Sequence, residues 1–317
     1  MVTPRILTPL AAALLILTGC NTTNRVAVPA AAAPSLGGTA SRVLVPNPEV
    51  SARIPGSNIA GASIAACSAV PGGFLVGAII GAASSGADSA IENRQAKTAE
   101  TLVTPIRNVL VGVDTPEQIA AELRAAFAGN VQFQPELLVL DRQAFPKKDV
   151  IKTWLEQAPH RTLLLVRCDY YFTADFGRLV VDATVDLITD DGKLRALGTK
   201  RFLPFPGLYH NYLATDIALS GTSRDKEANA AAWAARGEAL RGQLAAAVRE
   251  LTTMIAYDLQ QPATATEGGT YEERVMVPML GGAMVQGGGV QMKARQERIA
   301  DSRRWLRAKT GELFSVE

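Results

Sequence analysis

The chain has 317 residues, 48% hydrophobic and only 6% aromatic, which suits one or two domains with a lean core of small side chains. Its formal net charge is +2. Charge that nearly balanced argues against nucleic acid or an acidic polymer as partner.

At the N-terminus, Arg5 is the one charge ahead of an apolar run from Leu10 to Leu17. A bilayer span takes about 20 apolar residues, so this run is too short to cross and fits the core of a secretory signal. Leu17-Thr18-Gly19-Cys20 closes the run and resembles the lipobox of bacterial lipoproteins. That resemblance implies removal of residues 1–19 as a signal peptide. It also implies a thioether diacylglycerol and an N-linked palmitate-type chain on Cys20. At roughly 0.8 kcal/mol per buried methylene, two or three such chains hold a protein to a membrane essentially permanently. Asn21, where the inner-membrane sorting signal has Asp, implies the outer membrane, facing the periplasm. The competing reading is an ordinary secretory signal cut elsewhere. With Cys20 acylated, Cys67 and Cys168 remain in an oxidising compartment. They are a candidate disulfide or, alternatively, two buried thiols.

Residues 20–56 read as the lipidated Cys and a flexible tether, with Pro29, Pro34, Pro46, Pro48 and Pro55 spread among small residues. Residues 57–112 form the next unit. No charge occurs between Arg53 and Asp88, and Gly73, Gly77 and Gly81 repeat every four residues. On a helix that spacing makes a groove for close packing, and it resembles the glycine zippers of some envelope lipoproteins. The stretch can pack on the protein's own body, drive a homo-oligomer or enter the membrane. From Asp88, Ile91, Leu102, Ile106 and Val109 predict an amphipathic helix that Pro105 can kink. A helix then begins at Thr115-Pro116-Glu117-Gln118, with Thr115 as cap, and ends at Gly129-Asn130.

Within an α/β domain over 113–260, strands are expected at 136–141 and 162–172 around a short helix at 147–157, with the two strands parallel and paired. A third strand spans 178–189. Asp190-Asp191-Gly192-Lys193 reads as a tight hairpin that sets Thr184 against Thr199, Asp182 against Arg201 and Val181 against Phe202. Residues 225–259 read as one long helix, with Gly237 and Gly242 inviting a bend. The last unit, 261–317, is a Gly- and Met-rich, poorly periodic loop followed by a hairpin with its turn at Lys309-Thr310-Gly311.

No catalytic constellation, cofactor motif or metal site stands out. His160 and His210 lack ligand-like neighbours, and His160 reads as a solvated turn residue. Ser223-Arg224-Asp225-Lys226 matches Ser-x-x-Lys, but Ser223 more simply caps the long helix. Asp182 and Asp186 share a strand face and can bind a cation or act as acid and base. Equally, they can lie on a solvated face balanced by Arg195 and Arg201. Met276, Met279, Met284 and Met292 offer soft ligands for copper, or adaptable packing. The candidate partner-binding loop is Phe202–Leu213, with Phe205, Tyr209, His210 and Tyr212 exposed to a partner or sealing the sheet against the long helix.

The expected fold is α+β. A mixed sheet of three to five strands lies under a long C-terminal helix, with a Gly/Ala-rich N-terminal helix and a C-terminal hairpin. The order of elements is similar to small modules of TolB-N-terminal-type periplasmic lipoproteins, some of which are adaptors or regulators of envelope machinery. The resulting expectation is a non-enzymatic scaffold or adaptor, held to the membrane by its lipid anchor and facing protein partners in the cell envelope. The alternatives are a self-assembling export component using Gly73, Gly77 and Gly81, and an enzyme or copper carrier acting through loop residues.

Overall fold

A computed structural model describes residues 38–52, 88–130, 132–142, 146–189, 207–261, 270, 273–277, 290–300, 303–309 and 311–316. Cys20, Cys67, Gly73, Gly77, Gly81, Phe205, Met279 and Met284 lie outside them, as does the expected 190–193 turn. The fold is mixed α/β, with one mixed sheet and helices packed on it.

The strands are β1 (Thr39–Leu44), β2 (Ser51–Ala52), β3 (Phe133–Asp141), β4 (Thr162–Phe172), β5 (Arg178–Thr189), β6 (Gly207–Ala218), β7 (Glu273–Val277), β8 (Val290–Ala300), β9 (Arg303–Ala308) and β10 (Leu313–Val316). They lie in the order β3-β1-β4-β5-β6-β10-β9-β8-β7, and β2 pairs with the far end of β4. The helices are α1 (Asp88–Leu110), α2 (Thr115–Phe127), α3 (Lys148–Gln157), α4 (Lys226–Ala234) and α5 (Glu238–Gln260).

Among the described residues, ten strands replace the expected three to five, and two misread segments account for much of the difference. Residues 39–52 belong to the segment read as tether, yet β1 lies between β3 and β4, with Val43, Leu44 and Val45 fully buried. Of the five prolines that suggested a tether, Pro46 and Pro48 fall in the connection to β2, where no ladder hydrogen bond is needed, and Pro29, Pro34 and Pro55 lie outside the described residues. The stretch 261–302, read as irregular, supplies β7 and β8.

The insertion of β1 corrects a second expectation. β3 and β4 run in the same direction, as a helical crossover requires, but each pairs with β1 and not with the other. The expected partner of β5 is also corrected. β5 pairs with residues 207–218, not 193–205, so Thr184 faces Tyr212, Asp182 faces Ala214 and Val181 faces Thr215.

The long helix is two helices. Gly237 takes φ +54° between α4 and α5, a conformation open to glycine and costly for other residues, whereas Gly242 lies inside α5. Two caps also move by a residue or two. Asp114, not Thr115, caps α2 by accepting the Glu117 N–H, and Asp225, not Ser223, caps α4. Thr115 is instead buried.

One face of the sheet packs against α1, α2, α4 and α5. The α5 stripe of Leu240, Leu244, Val248, Leu251, Met254, Ile255 and Leu259 meets Leu164, Val166, Cys168, Val181, Ala183, Val185 and Leu213 in a single core. Val103 and Ile106 of α1 and Trp305 and Leu313 of the C-terminal hairpin join it. Described residues of both the 57–112 and the 261–317 segments therefore contribute to the central core. The hairpin itself forms as expected: Gly311 at φ +107° turns the chain, and Ala308 and Glu312 bond across it. Its second strand, β10, pairs parallel with β6 and joins the two halves of the sheet. Among the described residues, no helix is long and apolar enough to cross a membrane.

Candidate functional site

The second face of the sheet carries the polar cluster. Alternation along a strand sends Leu179, Val181, Ala183, Val185 and Leu187 into the main core, which leaves Val180, Asp182, Thr184, Asp186 and Ile188 on the other side. Neighbouring strands bring Arg167, Asp169 and Tyr171 of β4 and His210 and Tyr212 of β6 to that face. α3 covers one end, where Ile151 and Leu155 pack on Leu163 and Ile188. The Arg42 guanidinium stacks 4.5 Å from the ring centroid of Trp154.

Asp182 and Asp186 are not on a solvated face. They are 8% and 5% exposed, and their carboxylates are occupied. Asp182 Oδ2 accepts from the Tyr171 hydroxyl at 3.1 Å and from the Tyr212 hydroxyl at 2.8 Å, so one carboxylate ties β4 and β6 to β5. Asp186 contacts His210 Nδ1, directly opposite in the ladder. Asp169 Oδ1 accepts from Asn47 Nδ2 at 3.2 Å and from the Tyr170 backbone N–H at 2.9 Å. A carboxylate on Nδ1 orients the imidazole ring and fixes Nδ1 as its donor. Arg195 and Arg201, the expected counter-charges, lie outside the described residues.

The candidate partner-binding loop is corrected to a strand. Tyr209, His210 and Tyr212 all belong to β6, and alternation splits them between faces. His210 and Tyr212 join the aspartates. Tyr209 is fully buried in the main core and donates to Asp258 Oδ2 at 2.6 Å. It therefore seals the sheet against the long helix. Tyr170 and Tyr171 part in the same way, Tyr170 entering the helix-side core.

Sequence reading missed a second network, on the helix side. Arg307, with no exposed side-chain surface, bonds Asp258 Oδ1 at 2.7 Å and the Gly311 carbonyl at 3.0 Å, and meets Glu297 Oε2 at 3.2 Å. Asn211 Nδ2 also donates to Asp258, at 2.8 Å, and to the Gly311 carbonyl, at 3.1 Å. Burial opposes the Arg307 charge, but Asp258 and Glu297 outweigh it and hold its pKa above the ordinary value. One signal was available: Asp258 is a charged residue at a stripe position of α5, between Ile255 and Leu259.

The remaining candidates are placed as follows. Cys168 is a free thiol with no exposed surface, and Cys67, its candidate partner, lies outside the described residues. Burial, then the nearby Asp182 and Asp169, push the Cys168 pKa above the ordinary thiol range. His160 is an exposed turn residue with φ +54°. Ser223 Oγ accepts the Asp225 backbone N–H, a turn contact that leaves Lys226 out. Met276 and Met292 lie on β7 and β8, one register step apart and not in a loop. Among the described residues, no group of three or more His, Cys, Asp or Glu is placed to hold a metal ion. Comparison with protein-family models, with curated proteins and with solved structures finds no match.

Proposed function

We propose that this chain is a lipid-anchored scaffold or adaptor of the bacterial envelope, held at the outer membrane through Cys20 and facing the periplasm. The observation that carries this reading is the short distance in sequence between the lipobox and the sheet. Cys20 precedes the buried strand β1 at Thr39 by residues 21–38 alone. A chain of that length reaches at most about 60 Å. The acyl chains would therefore hold the body itself close to the membrane, with a shorter tether than the 20–56 segment implied. The polar groups of the sheet support a structural role. Asp182, Asp186, Asp258 and Arg307 are engaged in tying strands and helix together, which makes a rigid platform. A body of this kind would act by presenting a fixed surface to envelope proteins.

The test is at Cys20. Full-length chain expressed in a Gram-negative host should incorporate radiolabelled palmitate and sediment with the outer membrane. Cys20→Ser should incorporate none and appear in the periplasmic fraction with its fold intact by circular dichroism. Palmitate-free wild-type chain would sink the anchor. A purified lipidated chain that turns over substrate, with His210→Gln abolishing turnover, would replace the scaffold with an enzyme.

A further inference from the structure

β3 stands at one end of the sheet. It pairs with β1 alone, so its other edge meets no strand among the described residues. The last part of β3 reads Glu136-Leu137-Leu138-Val139-Leu140-Asp141, and Arg142 follows. Soluble proteins blunt such an edge with lysine, proline or a bulge. Here Pro135 and the irregular step between the Thr39–Phe133 and Ser41–Leu138 pairs both come before the apolar run and leave it bare. Val139 is 42% exposed there.

The backbone of this run is turned toward a further strand. The Val45 N–H donates to the Asp141 carbonyl at 3.0 Å, and the β1–β3 ladder is regular from Leu138 to Asp141. Each residue of a strand sends its N–H and C=O to one side, and the side alternates along the chain. Val139 and Asp141 thus face β1, while Leu138 and Leu140 present their backbone groups to the open edge. Glu136 and Arg142 continue that outward set. Side chains follow the same period. Leu138 is buried in the helix-side core, Leu140 packs against it, and Arg142 reaches Asp114 at the start of α2, at 2.6 Å. Glu136 and Arg142 therefore share the helix-side face, and both are exposed. Val139 lies on the other face, opposite Arg42 in the ladder.

We propose that this edge pairs antiparallel with the same edge of a second copy of the chain, about a twofold axis at Val139. For Leu138 and Leu140 to exchange hydrogen bonds with outward groups of the other copy, even-numbered residues must face even-numbered ones. Among registers that do so, an axis at Val139 sets Leu138 against Leu140 and Glu136 against Arg142. The contact is isologous, so each pair occurs twice. Moving the axis by one residue sets Glu136 against Leu140, or Arg142 against Leu138, and loses both ion pairs. One strand thus carries both halves of its own charge pattern, which favours a second copy over an unrelated partner. On the other face the two Val139 side chains meet as a non-hydrogen-bonded pair and leave water together. The two sheets become one, with both sets of helices on the same side. This surface goes beyond the scaffold reading and does not depend on the anchor.

The test uses full-length chain carrying Cys20→Ser and Cys67→Ser, which leaves buried Cys168 as the remaining thiol. Sedimentation over a concentration series should show a monomer–dimer equilibrium. Val139→Lys sets two cations against each other at the axis. It should leave the circular dichroism spectrum unchanged and weaken the dimer by on the order of tenfold or more. Glu136→Arg and Arg142→Glu should each weaken it comparably, and the two together should restore it. Val139→Cys should oxidise to a disulfide-linked dimer, because Cα atoms of such a pair lie about 4.5 Å apart, within disulfide reach. Val111→Cys, on an exposed residue of the α1–α2 turn, should not. A chain that stays monomeric at every concentration overturns the proposal. A dimer indifferent to Val139→Lys overturns it too, in favour of self-association through another surface. So does a double charge swap that dimerises no better than either single change.

Discussion

Arg307 and Asp258 form a 2.7 Å ion pair in which neither side chain has any exposed surface. The pair joins the C-terminal hairpin to the last turn of α5, and Tyr209, Asn211 and Glu297 complete its hydrogen bonding. Removing one partner strands the other charge in the core. Arg307→Met and Asp258→Ala should each cost about 3–5 kcal/mol. The double variant should cost less than the sum of the two, because no lone charge is left behind. Urea unfolding of the four proteins in a double-mutant cycle measures this, and strict additivity would show that the two groups are not coupled.

Cys168 gives a reactivity prediction. It is fully buried on β4, facing the helices, and its raised pKa keeps it in the unreactive thiol form. In Cys67→Ser protein at pH 8, Cys168 should react with a thiol reagent only at the rate of global unfolding. Denaturant should raise that rate steeply. Rapid labelling in native buffer would place the thiol at the surface.

What the sequence made legible followed local physics. The alternation of β5, the stripe of α5 and the Lys309-Thr310-Gly311 turn are short-range signals, and each is found where its pattern predicts. The errors share a cause of a different kind. β1 is a six-residue strand whose stability comes from two neighbours distant in sequence, and nothing local separates it from an extended linker. The partner of β5 was misplaced because Asp190-Asp191-Gly192-Lys193 is a sound turn signal locally, yet the pairing is made by Tyr209, His210, Asn211 and Tyr212 well beyond it. The candidate site was half legible. Asp182 and Asp186 could be assigned to one face from strand period alone, but their burial and their partners Tyr171, Tyr212 and His210 depend on register between strands.

Asp114 gives a pH prediction. The Glu117 backbone N–H and then the Arg142 guanidinium hold its carboxyl below the ordinary value of 3.8. A depressed pKa in the folded state adds stability that is present above the unfolded value and is lost as pH falls through the folded one. Asp114→Ala removes the cap of α2 and should cost about 1 kcal/mol at neutral pH. Asp114→Asn keeps a capping oxygen and should cost less at neutral pH. Its penalty relative to the wild-type chain should shrink as pH falls below 3.8 and vanish only once the folded-state carboxyl itself protonates, at a lower pH. Thermal melts across that range check both, and a penalty for Asn that is constant with pH would remove the carboxylate from the account.

Gly237 and Gly242 make the last prediction, because the same substitution should act in opposite directions five residues apart. At Gly237 a methyl group would meet nothing within 4 Å, yet φ is +54°. Alanine there is opposed by backbone strain alone, on the order of 1–2 kcal/mol. At Gly242 the methyl would again meet nothing, and the backbone is helical inside α5. Alanine there restricts the unfolded chain at no cost to the fold and should stabilise by roughly 0.5–1 kcal/mol. Sterics are matched between the sites, so the difference between the two melting temperatures isolates backbone conformation. If Gly237→Ala were neutral, the break between α4 and α5 would owe nothing to glycine, and the chain there would be free to continue as the single helix that its apolar stripe suggests.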